Sequence, residues 1–458
     1  MFARFLPLLL ALTLPLQAAP PPNFIVILVD DMGATDLGCY GSKFYETPNI
    51  DRLAKDGMRF TQAYSACTVC SPSRASLLTG RNPAALRLTD WIAGHQRPFA
   101  KLKVPDWTKE LRASEATLPA LLKNAGYATA SIGKWHLGPA GPTERGFDVN
   151  IAGTERGQPP SYFSPYKIET LPDGPEGEFL SDRLTSEAEK FIEAHKAQPF
   201  FLYLPHFAVH TPLIGKPAVV EKYKAKAKPG DAQHNATYAA LVESVDDSVG
   251  RLRAKLDALG LAENTVIIFT SDNGGLVLNE VTSNLGLRAG KGSAYEGGVR
   301  VPLIYCWPAK IKPGEFAQPV ITGDHFYTLL ELAGSPAAVP GEYRSLMPVL
   351  LGGGSISPRE LHWHYPHYHP GGATPYSAVR SGDFKLIAFF EDSRLELYNL
   401  KDDPEEKTNL VPENPAKAEE MRRQLAAWWM EVRAQLPVPN PDFDPARDVE
   451  QGSRRKAK

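Results

Sequence analysis

The sequence has little cysteine, almost no net charge and a single long apolar run, and each shortage closes off a class of protein. Four cysteines in 458 residues, at 39, 67, 70 and 306, lack the dense spacing of a disulfide-stapled small domain, so stability has to come from a buried core. A formal net charge of −2, with basic residues spread along the chain, leaves no electrostatic footprint for nucleic acid. An anionic ligand must therefore be caught by a local pocket. The apolar run, residues 5–16, follows Arg4 and precedes Ala18 and Ala19, the layout of a cleavable signal peptide over residues 1–19. It falls short of the ~20 residues that a spanning helix needs, and no other segment could span a bilayer. A secreted or periplasmic chain without stable membrane insertion is expected. No internal repeat is visible.

What is present is ordinary globular composition, 43% hydrophobic and 22% charged, with 41 prolines that point to long ordered surface loops. The length exceeds what one growing core supports, which predicts a large catalytic domain with a smaller appendage. Residues 23–30 form a continuous β-branched run ending in acid, as in a strand buried on both faces of a parallel sheet. Residues 199–204 and 264–271 are similar, and 127–132 is a shorter strand. Between them, Thr47-Pro48 and Thr117 open helices, the second stopped by Gly126, and 236–258 is one long amphipathic helix. This alternation predicts an α/β fold with a large, doubly wound, mixed or parallel sheet flanked by helices, whose sites form at the C-terminal ends of its strands. Near 335 the pattern changes. Residues 377–380, 384–390 and 394–398 read as short strands and 415–434 as a helix, a small C-terminal antiparallel sheet with one covering helix. The expected division is 20–335, 336–436, and an extended or mobile tail over 437–458.

Chemistry concentrates at the strand ends. Asp30-Asp31 and Asp272-Asn273 close two strands and would bring four oxygen-bearing side chains to one sheet edge, a composition that suits calcium or, less well, magnesium; such pairs also occur as plain turn formers. No histidine or cysteine cluster argues for zinc. Cys70-Ser-Pro-Ser-Arg74 reads as a helix start, where free N–H groups and the helix dipole favour an anion, with Arg74 one turn on along the same face; Cys67 is expected to be packing. Lys134 and His136 in Gly-Lys-Trp-His, two apart in extended chain, would point into one pocket. His210 lies in a loop after a strand, with His206 behind it, and Lys291 sits in a glycine-rich loop.

Together these segments resemble the formylglycine-dependent, arylsulfatase-like sulfatases of the alkaline phosphatase superfold, over about residues 23–410. The match includes the Cys-x-Pro-Ser-Arg signature with its downstream Leu-Thr-Gly-Arg81, the Gly-Lys-Trp-His segment and Gly290-Lys-Gly-Ser-Ala-Tyr-Glu-Gly-Gly298. The resemblance implies that Cys70 is oxidised by a maturation enzyme to formylglycine, whose hydrate is the nucleophile. It implies a calcium site of Asp30, Asp31, residue 70, Asp272 and Asn273, with Arg74, Lys134 and Lys291 on the sulfate. His210 would protonate the leaving group and His136 would deprotonate the hydrate. A sulfated saccharide is the expected substrate. Asp90, Trp91 and the histidine tract of His362, His364, His367 and His369 would form a sugar-binding rim, the tract being otherwise a zinc-binding or tag-like surface segment. Other readings are an aryl or choline sulfatase, a phosphatase or phosphonate hydrolase of the same superfold, and a secreted sulfoglycan-binding protein.

Overall fold

A computed structural model describes residues 20–335 and 341–448; the signal peptide read in 1–19 and the end of the tail, 449–458, lie outside them. Strand β1 (Asn23–Val29) shows why its sequence is apolar throughout. Ile25, Ile27 and Val29 enter the core on one face of the sheet, while Phe24, Val26 and Leu28 enter the core on the other. Strands β2 (Met58–Phe60), β3 (Ala128–Ile132), β4 (Val149–Ile151), β5 (Phe200–Pro205), β6 (Thr265–Ser271), β7 (Leu303–Cys306) and β8 (Gly314–Phe316) complete an eight-stranded sheet of order β8-β2-β7-β6-β1-β5-β3-β4. Only β7 runs against the others. β1 pairs in parallel with both β5 and β6, so these strands end at the same edge.

Helices α1 (Pro48–Asp56), α2 (Cys70–Thr79), α3 (Leu118–Asn124), α4 (Leu180–Ala194), α5 (Ala236–Ala258) and α6 (Asp324–Leu332) flank the sheet. α1, α4 and α5 cover the Ile25 face; α2, α3 and α6 cover the Phe24 face. Thr47 and Thr117, expected to cap α1 and α3, occupy the cap positions without a capping bond. Thr47 donates to Asp51 and Thr117 to the Arg145 carbonyl. Asn235 does cap α5, accepting from Thr237 and Tyr238.

The C-terminal sheet is an antiparallel meander of β9 (Glu360–Tyr365), β10 (Tyr376–Ser381), β11 (Phe384–Phe389) and β12 (Leu395–Asn399), covered by α7 (Pro415–Val432). Val379, Leu386 and Leu397 face α7, whereas Leu361, Trp363 and Ile387 pack on Tyr64, Val69 and Val299 of the larger sheet's loops. Of the tail, Val438–Pro439 pairs with Leu102–Lys103 and Asp448 meets Arg97 at 2.7 Å. Among the described residues no helix is long and apolar enough to cross a membrane.

Candidate active site

The parallel edge delivers the functional groups. Asp30 and Asp31 follow β1, Asp272 and Asn273 follow β6, Lys134 and His136 follow β3, and His210 lies in the turn after β5. α2 enters this edge with its first turn, so Cys70 and Arg74, one helical turn apart, both face the carboxylates. Arg74 donates from Nε to Asp272 Oδ2 at 2.9 Å, and its Nη2 lies 3.5 Å from Asp30 Oδ1. Lys134 Nζ lies 2.6 Å from Asp30 Oδ2, and Lys291 Nζ contacts Asp31 at 2.7 Å and Cys70 Sγ at 3.6 Å. When ionised, the carboxylates of Asp30, Asp31 and Asp272 balance Arg74, Lys134 and Lys291 in charge.

Lys134 and His136 reach the centre by a route different from the alternation expected of extended chain. β3 ends at Ile132, and the chain turns through Gly133 at φ 127° and His136 at φ 58°. A Cβ on Gly133 would come within 2.0 Å of the Pro205 carbonyl oxygen, so only glycine lets this turn pass so close to β5. His136 then places Nε2 against the Ile92 carbonyl. A carbonyl only accepts, so Nε2 carries the hydrogen and Nδ1 keeps the lone pair; that buried Nδ1 has no hydrogen-bond partner among the described residues. Ile92 is held in turn by Ser71, which accepts from its N–H at 3.2 Å, and by Asp90, which accepts from the Trp91 and His95 N–H groups and from the Tyr365 hydroxyl.

Burial and charge set the protonation states. Burial foremost raises Asp30 to about 7, against the pull of Lys134. Burial alone would raise Asp31 too, but Lys291, His210 and Lys134 bring it below the usual carboxylate range. Burial lifts the Cys70 thiol to about 12 despite Lys134 and Lys291. An unmodified thiol at 70 is therefore a poor nucleophile. Burial also keeps His136 neutral and, with Lys291, lowers His210 to about 3. His210 directs Nδ1 at the Thr211 carbonyl, 2.6 Å away, which leaves Nε2 facing Asp31.

The donor set fits a hard cation. Ligand atoms of Asp30, Asp31, Cys70 and His210 all lie within 4.8 Å of one another. Buried Asp30 Oδ1 and Asn273 Oδ1 accept no hydrogen bond from the described residues, while the Asn273 amide NH2 donates to Asp31 Oδ1 at 2.8 Å. Two orphaned buried oxygens beside carboxylates are costly unless a cation satisfies them.

A cavity of about 440 Å³ opens over this centre, with Cys70, His136, His210 and Lys291 at its base and Trp91, Gln158, Leu278 and His369 around it. The structure brings Trp91 and His369 to the cavity and does not bring Asp90, His364 or His367 there. Asp90 is buried behind Trp91. The 361–369 tract is no exposed loop: its first half is β9, where His364 bonds Ser377 and the Gln435 carbonyl, and His362 stacks on Trp428. His367 bonds Thr89. His206, beneath the site, bonds Ser248, and Cys67 is buried packing. His369 lies against Gly292, where a Cβ would be 2.2 Å from its Nδ1. Sequence reasoning missed the Ile92 carbonyl, Gln158 and Ser71. Ser71 alone carried a signal, by its place in the signature; a backbone oxygen carries none.

The chain matches the model of the Sulfatase family over residues 22–335 and that of the N-sulphoglucosamine sulphohydrolase C-terminal region over 290–435. It is 34% identical to a sulfatase of Formosa agariphila, over 93% of this chain and 92% of that protein. It is 36% identical to the N-acetylgalactosamine-6-sulfatase of Rattus norvegicus, over 76% and 69%. Among solved structures, Ps i-CgsB in complex with k-i-k-neocarrahexaose superposes with a TM-score of 0.76 at 29% identity, covering 95% of this chain and 96% of that one.

Proposed function

The chain belongs to the sulfatase family, and from that premise we propose that it is an exported enzyme that releases sulfate from a sulfated carbohydrate. The observation that carries this reading is the joining of residue 70, at the first turn of α2, with two buried oxygens, Asp30 Oδ1 and Asn273 Oδ1, that accept no hydrogen bond from the described residues, and with Lys291, beneath one open cavity. The saccharide part is supported by the neocarrahexaose bound to Ps i-CgsB and by the half-buried Trp91 and exposed Gln158, which offer a ring face and an amide to a sugar. The signal peptide pattern supports export.

A formylglycine at 70 would supply an aldehyde hydrate as nucleophile, and a calcium ion held by Asp30, Asp31, residue 70, Asp272 and Asn273 would supply Lewis-acid charge. The chain's own residues do the rest. Arg74, Lys134 and Lys291 converge on the space beside residue 70, where fixed positive charge stabilises sulfate oxygens more in the transition state than in water. His136, neutral with a free Nδ1, takes a proton from the side chain at 70. His210 offers Nε2 to the leaving oxygen; the negative charge of a bound ester opposes the influence of Lys291 and lets this nitrogen hold the proton it must donate.

The test is sulfate release from a panel of sulfated saccharides, nitrophenyl sulfate and choline sulfate, with the mass of the 69–74 peptide measured on the same active sample. The expected outcome is formylglycine at 70 and the highest kcat/KM on a saccharide. An unmodified cysteine in active protein would sink the mechanism, and choline sulfate outrunning every saccharide would sink the substrate class.

A further inference from the structure

A second cavity, of about 490 Å³, adjoins the first, and Gln158 lines both. The wall between them is the segment around 154–158, which is fixed against the catalytic histidine. His136 N–H donates to the Thr154 carbonyl at 3.0 Å, and a Cβ on Gly157 would lie 2.7 Å from His136 Cε1. The floor is equally built. Asn150 accepts from the Gly153 N–H and donates to the Gly153 carbonyl, and Thr170 donates to that same carbonyl at 3.2 Å. A pocket of this size, with a preformed floor and a wall shared with the reacting centre, is built to hold part of a ligand rather than merely to face solvent.

Its lining specifies what that part is. Pro139, Pro159 and Pro160 supply flat apolar surface, while the exposed heads of Glu155, Arg156, Lys167 and Glu169 have no partner among the described residues. Glu144, whose carboxylate accepts from the Gly141 N–H, also lines the cavity, so three carboxylates stand against two cations. Apolar faces edged by unpartnered donors and acceptors of both signs match a sugar ring and its hydroxyls. The surplus of carboxylates opposes a second sulfate, because like charge brought together at a binding site weakens binding. Resting on the saccharide reading above, we propose that this cavity is the subsite for the sugar unit next to the sulfated one, and that it takes an uncharged ring.

The subsite makes a neighbouring unsulfated sugar raise turnover, since contacts remote from the reacting bond are used to seat it. The experiment compares kcat/KM on a sulfated monosaccharide, the same unit bearing an unsulfated neighbour, and the same disaccharide sulfated on both rings. The wild type should favour the monosulfated disaccharide by about 10-fold or more over each of the others. The exposed pair Arg156→Ala/Glu169→Ala should erase that advantage and leave nitrophenyl sulfate turnover unchanged. Equal rates on the monosaccharide and the monosulfated disaccharide, a preference for the doubly sulfated one, or an advantage that survives the double variant would each overturn the subsite alone. Failure of every saccharide against nitrophenyl or choline sulfate would instead overturn the carbohydrate reading, and the subsite with it.

Discussion

A histidine whose Nε2 is committed to a carbonyl can take a proton only at Nδ1, and His136 is held that way by Ile92. The support extends through Asp90 to Tyr365 on the C-terminal sheet, whose hydroxyl lies 2.8 Å from the carboxylate. Tyr365→Phe removes one of the three hydrogen bonds that hold this buried carboxyl group, a cost of about 1–3 kcal/mol that the 90–95 turn can relieve by shifting. The expected result is a roughly 10-fold loss in kcat with KM nearly unchanged. Placed on top of His136→Ala, the same change should cost no further activity; additive losses would show that Tyr365 does not act through His136. Asp90 itself adds a pH dependence. Burial lifts it from 3.8 to about 7 against its hydrogen bonds, so the folded chain keeps a proton that the unfolded chain has released. Its contribution to stability is full below about pH 4 and is lost as pH rises through 7. Denaturation midpoints measured from acid to neutral pH should therefore fall less steeply in Asp90→Asn than in the wild type.

Between elements, the bond that matters most joins β11 to the loop carrying Lys291. Lys385, fully buried on β11, lies 2.9 Å from Glu296 and 3.0 Å from Glu406, and Tyr64 also donates to Glu296. Two carboxylates share one lysine here: Glu296 is lowered, though burial opposes it, by Lys385 and two arginines, and burial foremost holds Glu406 up at about 7. Lys385→Met strips the lysine from both and should cost about 3–5 kcal/mol, read as a lower denaturant midpoint. A change below about 1 kcal/mol would mean the carboxylates find other partners. Element by element, the legible parts of the sequence were those where one physical demand dominates. Residues 23–29 and 265–271 had to be apolar on both faces, and 236–258 carried its own cap. The β9 tract reads in sequence as a surface rim because its alternation hides two different cores: Leu361, Trp363 and Tyr365 face one, while His362 and His364 pack on Trp428 and read as polar. Short strands such as Met58–Phe60 and, at the sheet's edge, Gly314–Phe316 were too short to register any period.

For the whole molecule, the residues gathered at the parallel edge were legible because they sit in compact motifs, whereas the cavity walls come from segments far apart in sequence, such as Trp91, Gln158 and Leu278, that meet only through the fold. A cation that binds the folded site and not the unfolded chain stabilises by about 2.7 kcal/mol at a hundred times its Kd. Melting should therefore rise with calcium and fall on chelation. Asn273→Ala should shrink that increment; it is a cleaner probe than Asp272→Ala, which would also strip Arg74 of its 2.7 Å partner. An unchanged calcium increment in Asn273→Ala would remove that residue from the ligand set. With Asp30 ionised the centre is neutral, three carboxylates against three cations, and this has a further thermodynamic effect. Adding a dication alone, or a dianion alone, leaves a buried surplus of charge; adding both does not. Sulfate and calcium are thus expected to bind as heterotropic partners, whatever factor one adds to the other's affinity being returned in full. Product inhibition by sulfate should accordingly weaken as calcium is withdrawn, and calcium titrations should steepen when sulfate is present.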